Sequence, residues 1–145
     1  MTSNYSPVLP VDYKDDHGIK EFIAEFFRIS DDPEKNEAWV DFYHDNGTFV
    51  LNNTTSQGRE DIRKARSAMW DQVAERKHEV EKAVPARFPC PKGEDCLDLT
   101  LFGKVHQTLK SGDTRSVDWV SHGRLKRQGG SNDRWQFAYY RVYLV

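Results

Sequence analysis

The sequence lacks the features that mark a membrane-spanning, exported or nucleic-acid-binding protein. It has no run of about eighteen apolar residues, so we expect no membrane-spanning helix and no membrane partner. Residues 1–5 have neither the basic nor the apolar part of a signal peptide, which predicts an intracellular, cytoplasmic protein. The 21 Lys and Arg are offset by 23 Asp and Glu, and this balance argues against a protein that binds nucleic acid through its phosphates.

Cysteine is also scarce, with two residues in the chain. Cys90 and Cys96 flank a short segment that contains Pro91 and Gly93 and is typical of a loop. Two free thiols in a reducing compartment are the simpler interpretation, and a disulfide that closes this loop is the alternative for an oxidised protein. A zinc site would need two further ligands at short spacing, and the sequence offers none, so we expect no metal.

Aromatic residues, by contrast, are abundant. They make up 12% of the 145 residues and can line both a core and a cavity. The length is typical of one globular domain. Residues 1–16 contain two prolines and no periodic apolar pattern, so we interpret them as an N-terminal arm that precedes a single domain at 17–145.

The first half of the chain has helical periodicity. The first helix is predicted from one apolar stripe, which consists of Ile19, Phe22, Ile23, Phe26 and Phe27. A second helix is predicted over 34–43 and a third over 59–75, with a short β run at 48–52 between them. Asn46 and Gly47 are the residues expected to end the second helix and turn the chain.

The second half changes to the pattern of strands. Strands are predicted over 78–84, 97–109, 114–127 and 135–144, with glycine-containing turns at 111–113 and 128–133. Long antiparallel strands must twist, and a mid-strand glycine allows a bend or bulge. We therefore predict an α+β fold in which N-terminal helices pack on a strongly curved antiparallel sheet. The mouth of such a cone is a natural ligand pocket.

Three short sequence segments, in this order and spacing, indicate a family resemblance: FYHDNGTF at 42–49, GREDI at 58–62 and WQFAYYRVYL at 135–144. The chain resembles the nuclear-transport-factor-2-like superfamily and, within it, the SnoaL-like polyketide cyclases and fungal isomerases. The resemblance covers about residues 17–145 and implies a cone-shaped α+β barrel. That fold serves isomerases, dehydratases, cyclases and pure carriers, so it leaves the activity open.

A more distant similarity links the chain to scytalone dehydratase. In that enzyme a histidine opens the strand after the third helix and an acidic residue follows the first helix; His78 and Asp31 stand at those places here. The second pocket histidine of the enzyme has no clear counterpart in this chain. Its pocket serine and asparagine fall near His122 and Arg124, so the similarity does not transfer the reaction.

The strand at 114–127 has two candidate inner faces, because alternate residues point to opposite sides of a sheet. Hydrophobicity alone would bury Trp119 and Leu125 and leave Asp118 and His122 in water. The family resemblance favours the opposite assignment, in which Asp118, His122 and Arg124 line the cone. The Trp119 face, with Val117 and Leu125, would then pack against a second copy of the chain and form a homodimer.

Two other histidines have predicted orientations. His78 shares a strand face with Val80, opposite Glu79 and Glu81, so it should point inward. A core histidine without a functional role is the alternative. By the same alternation, His106 should face solvent or an interface.

These placements lead to two functional hypotheses. In the first, the protein is an enzyme without a cofactor that isomerises, cyclises or dehydrates a hydrophobic carbonyl compound of the secondary-metabolite type. His78 and Asp118 would be its base and acid, and His122 would polarise an oxygen. In the second, the same fold is a small-molecule binding or dimeric interaction module with an inert pocket. The candidate substrate-binding residues are Asp31, Tyr43, Asn52, Trp70, Arg124 and Tyr140.

Overall fold

The computed structural model describes residues 4–15, 17–127 and 133–145. Over these residues the chain forms α1 (Ile19–Ser30), α2 (Asn36–Val40), β1 (Tyr43–Leu51), β2 (Thr54–Gln57), α3 (Gly58–Met69), β3 (Val73–Ala86), β4 (Asp95–Leu109), β5 (Thr114–Arg127) and β6 (Gln136–Leu144). None of these helices combines the length and the apolar character that a membrane crossing requires. Cys90 and Cys96 are both free thiols.

The strands form one sheet in the order β2-β1-β6-β5-β4-β3. Neighbouring strands are antiparallel except β1 and β6, which are parallel. The α+β class predicted from the sequence is therefore confirmed, but the sheet is mixed rather than purely antiparallel. The parallel pair follows from the topology, because the chain places α3 and four strands between β1 and β6.

The apolar stripe of α1 packs on the inner face of the sheet. The Phe26 ring lies 5.1 Å from that of Phe137 and 5.5 Å from that of Tyr140, both edge to face. Phe27 stacks on Trp119 of β5 at 5.5 Å between centroids. Each such aromatic pair contributes about 0.5–1.5 kcal/mol beyond the area it buries. This packing fixes the position of α1, and hence of the residue that follows it, against β3 and β5.

Gly103 of β4 is paired with Val80 of β3 and with Trp119 of β5. A Cβ atom at this position would be 2.0 Å from the Glu79 carbonyl oxygen and 2.8 Å from Cζ2 of Trp119. The β3–β4 register shifts between Val80 and Lys82, which face this part of β4. The mid-strand glycine thus coincides with an irregularity, as the sequence suggested, and it leaves room for the Trp119 indole.

Element boundaries differ from the prediction at both helix-to-strand transitions. The second helix was predicted over 34–43, but Tyr43 already belongs to β1 and is paired with Phe137 of β6. The third was predicted over 59–75, but Val73 begins β3 opposite Leu109. Strand β2 was not predicted. Tyr43 and Val73 fit the helical spacing of the sequence. Each nevertheless pairs with a strand residue far along the chain, and this pairing decides its structure. The predicted turn at 128–133 lies outside the described residues except for Asp133.

The described part of the N-terminal arm runs beside β3. The Val80 N–H donates to the Asn4 carbonyl at 2.8 Å, and the Ala83 N–H donates to the Val8 carbonyl at 3.0 Å. In return, the Val8 N–H donates to the Glu81 carbonyl at 2.9 Å. The arm is therefore hydrogen-bonded to the strand that carries His78.

Candidate active site

A partly open cavity of about 310 Å³ lies between α1, α3 and the inner face of the sheet. Most of its wall is apolar, and the apolar lining includes Phe26, Phe27, Trp39, Phe49, Val105, Trp119 and Val142. The polar side chains His78 and Arg76 enter it from β3. A larger depression of about 870 Å³ lies nearby, but its lining is polar and apolar in about equal parts, so we take the more apolar cavity as the candidate ligand site.

His78 and Asp31 form a hydrogen-bonded pair at the cavity wall. The imidazole Nδ1 lies 2.6 Å from Asp31 Oδ1, and the His78 backbone N–H donates to Oδ2 at 2.8 Å. Asp31 directly follows the last residue of α1, so the packing of α1 on the sheet brings the pair together. Because an ionised carboxylate can only accept, Nδ1 carries the proton and Nε2 is left as the basic nitrogen. No described residue hydrogen-bonds to Nε2.

Burial and neighbouring charges set the protonation states of the pair. The side chains are 6% exposed for Asp31 and 15% exposed for His78. Burial lowers the pKa of His78 below its ordinary value; Asp31 opposes this shift, and the positive charges of Arg76 and Arg66 reinforce it. Burial opposes ionisation of Asp31, but hydrogen bonds from His78 and Tyr5 hold its pKa below the ordinary value. At neutral pH the carboxylate is therefore charged and the imidazole is neutral, which is the state of a general base.

Two further side chains can interact with a ligand oxygen. The Arg76 side chain is 8% exposed, and its Nε lies 3.6 Å from Asp31 Oδ1. This Nε has no hydrogen-bond partner in the part of the chain that the structure describes. Tyr140 lines the cavity and is 3% exposed. Burial raises the pKa of the Tyr140 phenol, so it remains a hydrogen-bond donor at neutral pH.

Arg66 is a structural part of the site that the sequence analysis missed. It is 0% exposed and donates to the carbonyls of Ser30 at 2.8 Å and Asp32 at 2.6 Å. It therefore holds the segment that carries Asp31, at the C-terminal end of α1, where a cation is favourable. The sequence feature that could have identified Arg66 is a charged residue on the same, inner side of α3 as Ile62. The signal for Arg76 was its position two residues before His78, on the same strand face.

The expectation that Asp118, His122 and Arg124 line the cone is wrong. Asp118 is 63% exposed on the outer face, with its carboxylate 2.7 Å from the Lys104 ammonium, and His122 is 47% exposed. Trp119 and Leu125 fill the interior instead, at 2% and 0% exposure. The physical reason is that burial of the Trp119 and Leu125 side chains removes apolar surface from water. Because β4 and β5 pair without a register shift, Asp118, His122 and Arg124 then all lie on the opposite, outer face.

The same finding removes the basis of the predicted dimer interface. Trp119 and Leu125, which were expected to meet a second copy, are part of the core of this chain. Homodimerisation through the outer face stays a prediction. The outer face does carry His106, as expected, where Nδ1 lies 2.6 Å from the Ser116 hydroxyl and Nε2 contacts Glu79.

Five of the six candidate binding residues do not line the cavity: Arg124, as described above, and also Asp31, Tyr43, Asn52 and Trp70. Tyr43 is 0% exposed and packs in the core, 4.9 Å from the Trp39 ring. Asn52 lies in the exposed β1–β2 turn, where its side chain accepts from the Leu144 N–H at 2.9 Å. Trp70 lies behind the cavity and stacks on Arg76 at 4.7 Å. Asp31 lies behind His78, and Tyr140 lines the cavity.

No protein-family profile matches the sequence, and no curated protein sequence matches it. Solved structures do match. A proposed aromatic ring hydroxylase from Novosphingobium aromaticivorans is similar with a TM-score of 0.75 and 14% identity, covering 88% of this chain and 87% of that one. A proposed scytalone dehydratase from the same organism has a TM-score of 0.73 and 8% identity, and the match covers 88% of this chain and 82% of that one. A type 2 hexachlorocyclohexane dehydrochlorinase (LinA) has a TM-score of 0.72 and 12% identity, and the match again covers 88% of this chain and 82% of that one.

At these identities the comparison establishes the fold. The chain shares the fold of these solved structures, in agreement with the cone-shaped α+β fold that the sequence resemblance implied. Because that fold serves several chemistries, the function has to be argued from the residues of the cavity.

Proposed function

We propose that the protein is an acid–base enzyme, independent of a cofactor, that isomerises, cyclises or dehydrates a hydrophobic carbonyl compound in the mainly apolar cavity. The observation that carries this proposal is the hydrogen-bonded Asp31–His78 pair, in which Nε2 is the basic nitrogen and the His78 side chain lines a mainly apolar cavity. A neutral imidazole held by a buried carboxylate is suited to accept a proton from carbon. Asp118, predicted as the acid, is replaced in this mechanism by donors inside the cavity.

In the first step, His78 Nε2 removes a proton from the carbon next to the carbonyl group. Asp31 holds the imidazole in the required tautomer and stabilises the imidazolium that forms. Negative charge develops on the carbonyl oxygen, where the Arg76 guanidinium or the Tyr140 hydroxyl can donate a hydrogen bond. Return of the proton to a different carbon completes an isomerisation. Transfer of the proton to a departing hydroxide gives water and completes a dehydration.

The cavity wall indicates the class of substrate. Phe26, Phe27 and Trp119 offer aromatic surfaces, which bind flat apolar molecules through dispersion and stacking. The volume of about 310 Å³ is near the lower end of the range for small-molecule sites. Two of the similar structures, the scytalone dehydratase and the dehydrochlorinase, have names that denote eliminations, which also begin with proton removal from carbon. These names support an elimination or isomerisation on a compact hydrophobic compound.

Deuterium incorporation tests the proposal without the true substrate. A panel of hydrophobic ketones and β-hydroxyketones is incubated with the protein in D₂O, and exchange next to the carbonyl is followed by NMR. We expect exchange with the wild type and a loss of about 10²–10⁴-fold in His78→Gln, because the base is removed. Asp118→Asn is the matched control and should exchange at the wild-type rate, because that carboxylate faces solvent.

Two outcomes would contradict the proposal. Equal exchange in the wild type and in folded His78→Gln would show that His78 is not the base. A ketone that binds tightly but is neither exchanged nor converted by the wild type would instead favour the binding-module alternative.

A further inference from the structure

The N-terminal arm reaches the side of Asp31 that faces away from the cavity. The Tyr5 hydroxyl donates to Asp31 Oδ2 at 2.6 Å. Its ring stacks on Phe27 at 6.4 Å between centroids, and Phe27 in turn lies 5.0 Å from the His78 ring. Tyr5 therefore contacts both the carboxylate of the pair and the aromatic residue that packs against the imidazole.

Backbone hydrogen bonds hold Tyr5 in this place. Asn4, directly before it, accepts from the Val80 N–H at 2.8 Å, and Val8 exchanges two hydrogen bonds with Glu81 and Ala83. These partners all belong to β3, the strand on which His78 lies. The arm thus positions Tyr5 relative to His78 through the same strand, and not through a separate loop.

We propose that Tyr5 is a positioning residue of the Asp31–His78 pair, and that the docked N-terminal segment is consequently part of the active site. This inference rests on the proposed function of the pair. Asp31 Oδ2 accepts from Tyr5 and from the His78 backbone, which leaves Oδ1 for the imidazole. Two donors on one oxygen fix the plane of the carboxylate, and so the direction of the bond from Oδ1 to Nδ1.

The hydroxyl also moderates the charge that Asp31 presents to His78. Burial and the hydrogen bond to Asp31 raise the pKa of the Tyr5 phenol, so it remains a donor throughout the neutral range. A carboxylate that loses this donor becomes more basic, and it then holds the proton on the imidazole more strongly. The other charged groups around the pair are Arg76 on β3, Arg66 on α3 and Arg28 on α1, with Lys77 near the Tyr5 ring. All four are unchanged when only the Tyr5 hydroxyl is removed.

Tyr5→Phe in the full-length chain tests the proposal, because it keeps the ring and removes the hydroxyl. Two quantities are measured: the NMR titration midpoint of the His78 imidazole, and the rate of ketone proton exchange. We expect the midpoint to rise and the exchange rate at neutral pH to fall by about tenfold, as for the loss of a hydrogen bond to a charged group. Tyr13→Phe is the matched control, since Tyr13 lies in the same arm and its hydroxyl donates to Asp15 at 3.4 Å.

A second variant tests the docking of the arm while keeping the hydroxyl. Val8→Pro removes the N–H that donates to Glu81, and Val8 is 71% exposed, so little packing is lost. We expect a shift of the His78 midpoint in the same direction as in Tyr5→Phe. A wild-type midpoint and a wild-type rate in Tyr5→Phe would overturn the role of Tyr5. A wild-type midpoint in Val8→Pro would overturn the role of the docked segment.

These failures are distinct from a failure of the proposed function. If His78→Gln exchanged ketones as fast as the wild type, the catalytic proposal would fail. The His78 midpoint would still report whether Tyr5 acts on the pair.

Discussion

Replacement of Asp31 by asparagine should reverse the tautomer of His78. Asp31 Oδ2 accepts two donors, the Tyr5 hydroxyl and the His78 backbone N–H, and Oδ1 accepts the imidazole Nδ1 proton. An amide has one accepting oxygen and one donating nitrogen. The backbone N–H can only donate, so the Asn oxygen must occupy the Oδ2 position and the amide nitrogen must face Nδ1. Nδ1 then becomes the acceptor, and the proton moves to Nε2.

That change has two measurable consequences. With a proton on Nε2, His78 cannot accept one from a substrate, so the exchange rate should fall by about 10²–10⁴-fold. The free energy of unfolding should also fall by about 3 kcal/mol, because buried Arg76 would lose its carboxylate partner. The pKa of His78 should decrease further, since the charge of Asp31 opposes the effect of burial.

Long-range ¹⁵N–¹H NMR of the imidazole reads the tautomer directly, and urea unfolding reads the stability. Glu79→Gln is a matched control, because Glu79 is also a carboxylate in contact with a histidine, His106, but on the outer face of the sheet. This control should keep the wild-type exchange rate. The reasoning would be refuted if Asp31→Asn kept the wild-type rate, or lost the rate while Nδ1 still carried the proton.

Two further predictions concern pH and packing. Because only neutral His78 is a base, the exchange rate should fall as the pH drops through the lowered pKa of His78. The acid limb of the pH–rate profile should therefore lie below the ordinary histidine pKa of 6.5. An acid limb above 6.5 would contradict the effect of burial. Gly103→Ala should lower the free energy of unfolding by about 3 kcal/mol, since its Cβ meets the Glu79 carbonyl and Trp119. Gly112→Ala is the comparison for backbone strain without a clash, because Gly112 has a φ of +96° and its Cβ would meet nothing within 4 Å. A loss in urea unfolding for Gly103→Ala no larger than that for Gly112→Ala would contradict the steric cause.

The parts of the fold that could be predicted are those with a strong local period. The stripe from Ile19 to Phe27 lies within α1, and the strand predicted over 114–127 has those bounds in the structure. The errors in element boundaries lie at residues that fit both the helical and the strand periodicity. Tyr43 and Val73 continue helical stripes in the sequence, yet each has a strand partner far along the chain, and that pairing decides their state.

Strand β5 shows that it is harder to predict which face of a strand points inward than to predict the strand itself. Alternation defined the two sets of residues correctly, but it does not say which set faces inward. Burial of Trp119 removes a large apolar surface from water, whereas burial of Asp118 would need a compensating partner. Hydrophobicity alone therefore indicated the right face, and the family resemblance was applied to the wrong one. Outside, Asp118 has that partner in Lys104.

The polar part of the site consists of Asp31, His78 and Arg76, and predicting it requires both local sequence patterns and tertiary contacts. Alternation along β3 pointed His78 inward, and the similarity to scytalone dehydratase singled out Asp31, but their hydrogen bond depends on how α1 packs. Burying Asp31, His78 and Arg76 together costs desolvation energy that an apolar set of similar volume would avoid. A simple carrier of hydrophobic molecules has no need of such a group. The convergence of these three side chains beside a mainly apolar cavity therefore supports the acid–base proposal over the binding module.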